Sequence, residues 1–128
     1  MFPEQVDITS VLNCISQLYP EHRLGEIQVR WLNDDELLEI NKTHLNHDYY
    51  TDIITFDYST SRKISGELFI SVDRVRDNAA IHGDSEIQEF YRVVAHGVLH
   101  LLGFKDNTEA ESKVMREKEN EVIHALGI

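Results

Sequence analysis

Cysteine is nearly absent: Cys14 is the only one in 128 residues. That excludes an internal disulfide framework and a four-cysteine zinc module. Proline is confined to Pro3 and Pro20, and no stretch reads as a proline-, glycine- or serine-rich linker. No apolar run approaches the roughly 18 residues that a membrane span needs. The first residues, Met1-Phe-Pro-Glu-Gln, have neither the basic flank nor the apolar run of a secretion signal. Basic residues are scarce, 12 Lys and Arg against 23 Asp and Glu, for a formal net charge of −11. An evenly basic nucleic-acid binder is thereby excluded, and contact with RNA or DNA requires a local basic patch. A reduced, cytoplasmic protein away from membranes is expected.

What the chain does have is enough apolar residue, 41%, to build a core. The length suits one domain, expected over 1–128, and there is no internal repeat. Val11, Leu12, Ile15 and Leu18 form a helical stripe over about Asp7 to Tyr19, with Pro20 as the stop. Glu26 to Leu32 alternates apolar and polar residues, as a strand does, with Ile27, Val29 and Trp31 inward. Asn33 with Glu36 is a capping-box pattern that opens a helix fading near Leu45. Ile53 to Tyr58 and Gly66 to Val72 read as strands, with the pair placed to form a hairpin. A short helix is expected from Arg74 to His82, ended by Gly83. Ser85 with Gln88 opens a further helix from about Glu86 to Leu102, apolar nearly all round and hence buried. Thr108 with Glu111 opens the last, to about Ala125, read as an acidic, solvated surface helix. The order α-β-α-β-β-α-α-α predicts an α+β fold: a small mixed sheet of three to four strands packed with about five helices.

The chemistry concentrates in His96-Gly-Val-Leu-His100-Leu-Leu-Gly103-Phe-Lys-Asp106. His96 and His100, four apart on a helix, present both rings on one face, where they can share a cation. Gly103 lets the chain turn back, and Asp106 is placed to add a carboxylate oxygen. Three protein ligands leave a fourth position for water or substrate, as in a catalytic zinc site. The alternative is a pair of satisfied histidines in a core helix. Two histidines on one face of a buried helix strain that alternative, because each must find partners for two ring nitrogens. The spacing is that of the long zinc-protease motif H-E-x-x-H-x-x-G-x-x-H, but Gly97 stands where that motif has its general-base Glu.

The string HGVLHLLGFKD resembles the signature of the YbeY family, H-G-x-L-H-L-x-G-[YF]-D-H. Thr51-Asp-Ile-Ile-Thr-Phe56 is similar to that family's T-[DN]-V-L-S-F strand, and Gly66-Glu67-Leu68 to its G-[DE]-[IL] strand start. Asn41 sits where the preceding helix of the family places an Asn. The resemblance implies a single-domain α+β metalloprotein. It implies a single-strand-specific endoribonuclease that matures ribosomal RNA, notably the 3′ end of the small-subunit RNA, and serves ribosome quality control. It also implies a metal, usually taken as zinc, held by His96, His100 and Asp106, with single-stranded or ribosomal RNA and the ribosome as partners and no DNA. Two departures stand out. Asp106 replaces the usual third histidine, with Lys105 in place of the Asp before it, and Leu45 falls where the family commonly carries an Arg. A carboxylate puts a negative charge beside the cation and favours harder metals.

Other residues divide between site and scaffold. His44, His47 and Asp48 cluster before the Ile53 strand and are either a solvated loop or, as the resemblance favours, candidates to line the site, with His44 and His47 candidates to contact phosphate in place of the missing Arg. Asp52 and Glu67, at strand starts, and His47 are candidate general bases; a strand-end turn carboxylate is the plainer role for the first two. Arg62, Lys63, Arg74 and Arg76 flank the Gly66 strand and are the candidate RNA-backbone contacts, or else scattered solubilising charge. Two other functions stay open: another zinc-dependent hydrolase such as a metallopeptidase, and a non-catalytic ribosome-associated metalloprotein.

Overall fold

The computed structural model describes residue 3 and residues 5–128. Elements run in the order α1 (Ile8–Leu18), β1 (Leu24–Leu32), α2 (Asp34–Leu45), β2 (Ile53–Asp57), β3 (Ile64–Ser71), α3 (Val72–His82), α4 (Glu86–Leu101) and α5 (Glu109–Leu126). This is the expected order, and every helix opens on a side-chain cap. Asp7 and Ser85 accept from the backbone three residues on. Asn33 with Glu36 and Thr108 with Glu111 form complete capping boxes, which satisfy N–H groups that a helix start leaves unpaired. Ser71 caps α3, so that helix starts at Val72, two residues ahead of the expected Arg74.

The sheet has three strands in the order β1-β3-β2. β2 and β3 form the expected antiparallel pair, with Ile53 opposite Ile70 and Asp57 opposite Gly66. β1 runs parallel to β3, from Ile27 opposite Gly66 to Leu32 opposite Ser71, so β3 is central and β2 is an edge. Alternation along β3 turns Gly66, Leu68 and Ile70 to one face, where they are buried. α4 lies on that face, with α1, α3 and α5 packed around it. Phe56 and Phe69 meet edge to face on the opposite side, where the His44 ring of α2 touches Phe56.

α4 is buried on nearly all sides, as its composition requires: ten of its residues, from Glu89 to Leu101, are buried. It approaches the sheet at Gly97. A Cβ there would sit 2.8 Å from Ile53 Cδ1 and Leu68 Cδ2. Past the helix end, Gly103 takes φ 107°, a region closed to most side chains, and turns the chain back toward the histidines. No helix among the described residues is long and apolar enough to cross a membrane.

Candidate metal centre

α4 carries both histidines on one face, four residues apart, and Gly103 returns the chain so that Asp106 meets them. The two Nε2 atoms lie 3.0 Å apart. Asp106 Oδ2 is 3.4 Å from His96 Nε2 and 3.5 Å from His100 Nε2. All three side chains are part-buried.

The far side of each ring explains why these atoms converge. His96 Nδ1 lies 2.6 Å from Glu119 Oε2, and His100 Nδ1 lies 2.9 Å from the carbonyl oxygen of Phe104. A carboxylate and a carbonyl only accept, so both Nδ1 atoms donate. With both rings neutral, the Nε2 lone pairs face each other and a carboxylate oxygen. Three electron-pair donors around one point could hold a shared cation, and two imidazoles with a carboxylate are a donor set that divalent zinc accepts.

Glu119 is the residue that sequence reading missed. It lies on α5, which was expected to be solvated surface, but it is only 5% exposed. Arg92 and Arg116 each place an NH1 3.4 Å from its Oε1 and leave Oε2 to His96. A signal was present: Met115, Glu119 and Val122 share a helical stripe, so Glu119 interrupts the buried face rather than the charged one. Burial works against protonation of His96, but its bond to Glu119 and the charges of Glu119, Asp106 and Asp52 outweigh that, and its pKa is raised.

The three ligand candidates line a cleft of about 500 Å³. Asp52, His47, Tyr49 and Leu45 are on its walls, along with the edge strand β2. Burial pushes the Asp52 carboxyl above its ordinary value, against the lowering influence of His96 and of backbone N–H groups.

Several candidates lie elsewhere. Glu67 faces a separate groove, bonded to Tyr58 Oη at 2.9 Å and Arg30 Nε at 3.2 Å, because alternation along β3 turns it away from α4. His44 packs on Phe56 and is not in the cleft wall. The four basic residues do not form one patch. Arg62 and Lys63 precede β3 while Arg74 and Arg76 follow it, so roughly 25 Å of strand separates the pairs. Arg74 is tied to Asp34 at 2.7 Å and Arg76 to Glu86 at 3.4 Å. A second cluster of potential ligands, His82, Asp84 and Glu89, sits at the α3–α4 turn, but Arg92 Nε, 3.8 Å from Glu89, already brings positive charge there.

Comparison with known proteins agrees with this architecture. The solution structure of a Thermotoga maritima protein superposes with a TM-score of 0.65 at 24% identity, covering 93% of this chain and 80% of the other. Among curated proteins, the chain is 48% identical over 101 residues to the Endoribonuclease YbeY of Bacteroides thetaiotaomicron, covering 79% of this chain and 74% of that protein. It is 40% identical over 119 residues to the Endoribonuclease YbeY of Parabacteroides distasonis, covering 93% and 83%. With the Cytophaga hutchinsonii protein of the same name it shares 44% over 118 residues, covering 91% and 82%. The family model described as Endoribonuclease YbeY matches residues 4–127, and the chain belongs to the YbeY family.

Proposed function

We propose that this chain is a cytoplasmic, metal-dependent endoribonuclease that cuts single-stranded RNA. Its work is the maturation of ribosomal RNA at the 3′ end of the small-subunit RNA, and ribosome quality control. One zinc ion is held by His96, His100 and Asp106. The observation that carries this reading is the meeting of three electron-pair donors in the lining of a cleft, in a chain of this family. Bound there, a divalent cation supplies Lewis acidity toward a phosphodiester and makes water a stronger acid.

The chain's own residues do the rest. Glu119 and the Phe104 carbonyl fix the tautomer and tilt of the two rings. Arg92 and Arg116 hold Glu119 in place. Asp52 lines the cleft with its pKa raised by burial, so its carboxyl is suited to take and return a proton near the reacting phosphate. His47 stands on the opposite lip as the second candidate for that role.

The metallopeptidase alternative finds no support. Its general-base Glu would have to stand at position 97, where the helix touches Ile53 and Leu68 and no side chain fits unshifted. The direct test offers zinc-loaded protein a single-stranded RNA and the same RNA in a duplex. Cleavage is expected in the single strand and is lost by at least about a hundredfold in His100→Ala, because removing a proposed ligand takes the metal and its Lewis acidity away. Intact single strands in the parent overturn the enzyme reading and leave a non-catalytic ribosome-associated protein.

A further inference from the structure

Among the described residues that line the cleft there is no lysine or arginine. Nucleic-acid sites ordinarily draw most of their affinity from such cations on phosphates. Here the walls carry Asp52, Asp57 and Asp106 instead, in a chain of net charge −11. Phosphate attraction from the side chains lining the cleft is therefore weak, and another part of the strand must supply affinity.

The lip of the cleft offers aromatic faces. The rings of His47 and Tyr49 are stacked, 5.1 Å between centroids and 22° between planes. Tyr49 Oη and His47 Nδ1 are 2.9 Å apart, which locks the two rings together. The pair is preordered by its backbone. Asn41, only 2% exposed, donates from Nδ2 to the Tyr49 carbonyl at 2.8 Å and accepts at its own carbonyl from the His47 N–H at 3.0 Å. Despite this anchoring the Tyr49 ring remains 55% exposed. Its neighbour Tyr50 is engaged elsewhere, bonded to Asp35 and covered by the Arg74 guanidinium. A rigid, exposed aromatic pair beside a cleft without basic residues has the chemistry of a base-stacking site.

We infer that the His47–Tyr49 pair is a stacking platform for an unpaired nucleobase adjacent to the phosphodiester that is cut. This rests on the ribonuclease reading and deepens it. A base inside a duplex has both faces covered by its neighbours, whereas an unpaired base has a face to give. The platform therefore supplies a physical source of single-strand preference, and it holds the strand by stacking rather than by charge.

The test uses fluorescence anisotropy with a labelled eight-nucleotide single-stranded RNA, in chelator so that the strand stays whole, with cleavage by the zinc-loaded parent measured alongside. Tyr49→Ala is expected to weaken binding by about tenfold or more, the usual worth of one base–aromatic stack. Tyr49→Phe retains most of the affinity. An abasic position next to the cut weakens the parent to a similar extent and costs Tyr49→Ala nothing further, which separates stacking from a merely structural role. In chelator the slope of log affinity against log salt is expected between about 0 and −0.7, at most one phosphate contact's worth. If the parent cuts the strand but Tyr49→Ala binds it equally well, or if the slope is several times steeper, the platform is wrong and the ribonuclease reading stands. If the parent neither binds nor cuts single-stranded RNA, both fall.

Discussion

His96 is fixed from behind, and that determines what it can do in front. Its Nδ1 is spent on Glu119, so Nε2 is the only atom left to meet His100 and Asp106. For the proposed cation Glu119 would be a positioning residue, and Glu119→Gln is expected to weaken zinc binding by about 10–100-fold while the cation still binds. Competition titration against a chromophoric chelator reads this without any turnover assay; unchanged affinity would show that the ring needs no such support. Asp52 gives a pH signature of its own. Its folded pKa lies above its ordinary 3.8, so the stability it contributes is present in full below that value and is lost as pH rises through the folded pKa. Asp52→Asn is therefore expected to raise the metal-free melting temperature at pH 7 and to bring little gain near pH 4. A scan of Tm against pH in chelator checks the sign, and a variant destabilised at neutral pH would contradict it.

α4 is where sequence and structure agree most closely. Its cap at Ser85, its nearly continuous apolar surface and its two histidines four apart are all visible as residue types at fixed spacing. Gly97 was legible only as a missing catalytic Glu. The structure gives it a positive reason, since α4 meets Ile53 and Leu68 there at a distance that leaves no room for a side chain. Gly97→Glu is consequently expected to convert nothing to a peptidase. It drives a carboxylate against the fully buried Leu68 at a cost of several kcal/mol, and the thermal transition drops by more than about 10 °C or disappears. A soluble, normally melting Gly97→Glu protein would mean that the helix and sheet are less closely packed than described. α5 shows the opposite case. Its capping box was readable, but its role was not, because one buried Glu in an acidic helix is recognisable only when the helix face that packs inward is known.

At the scale of the molecule, what was legible is what is local: element order, helix caps, the β2–β3 hairpin and the string that brings His96, His100 and Asp106 together. What was not legible is what depends on distant partners. The parallel pairing of β1 with β3 joins residues about forty apart, and no local pattern encodes it. The basic residues looked like one group because they flank one strand, yet the strand holds them at opposite ends, with Arg74 and Arg76 already committed to acidic partners. With no lysine or arginine among the described residues that line the cleft, a cation held as proposed by His96, His100 and Asp106 would be the positive charge offered to a phosphate there. The account turns on that cation. Its most direct test is metal content per chain, by elemental mass spectrometry, on protein purified without chelator or histidine tag, beside His100→Ala. About one equivalent of divalent metal in the parent, and little in the variant, is the predicted result. A parent that stays empty after zinc is supplied, or a variant that binds as much as the parent, would contradict it.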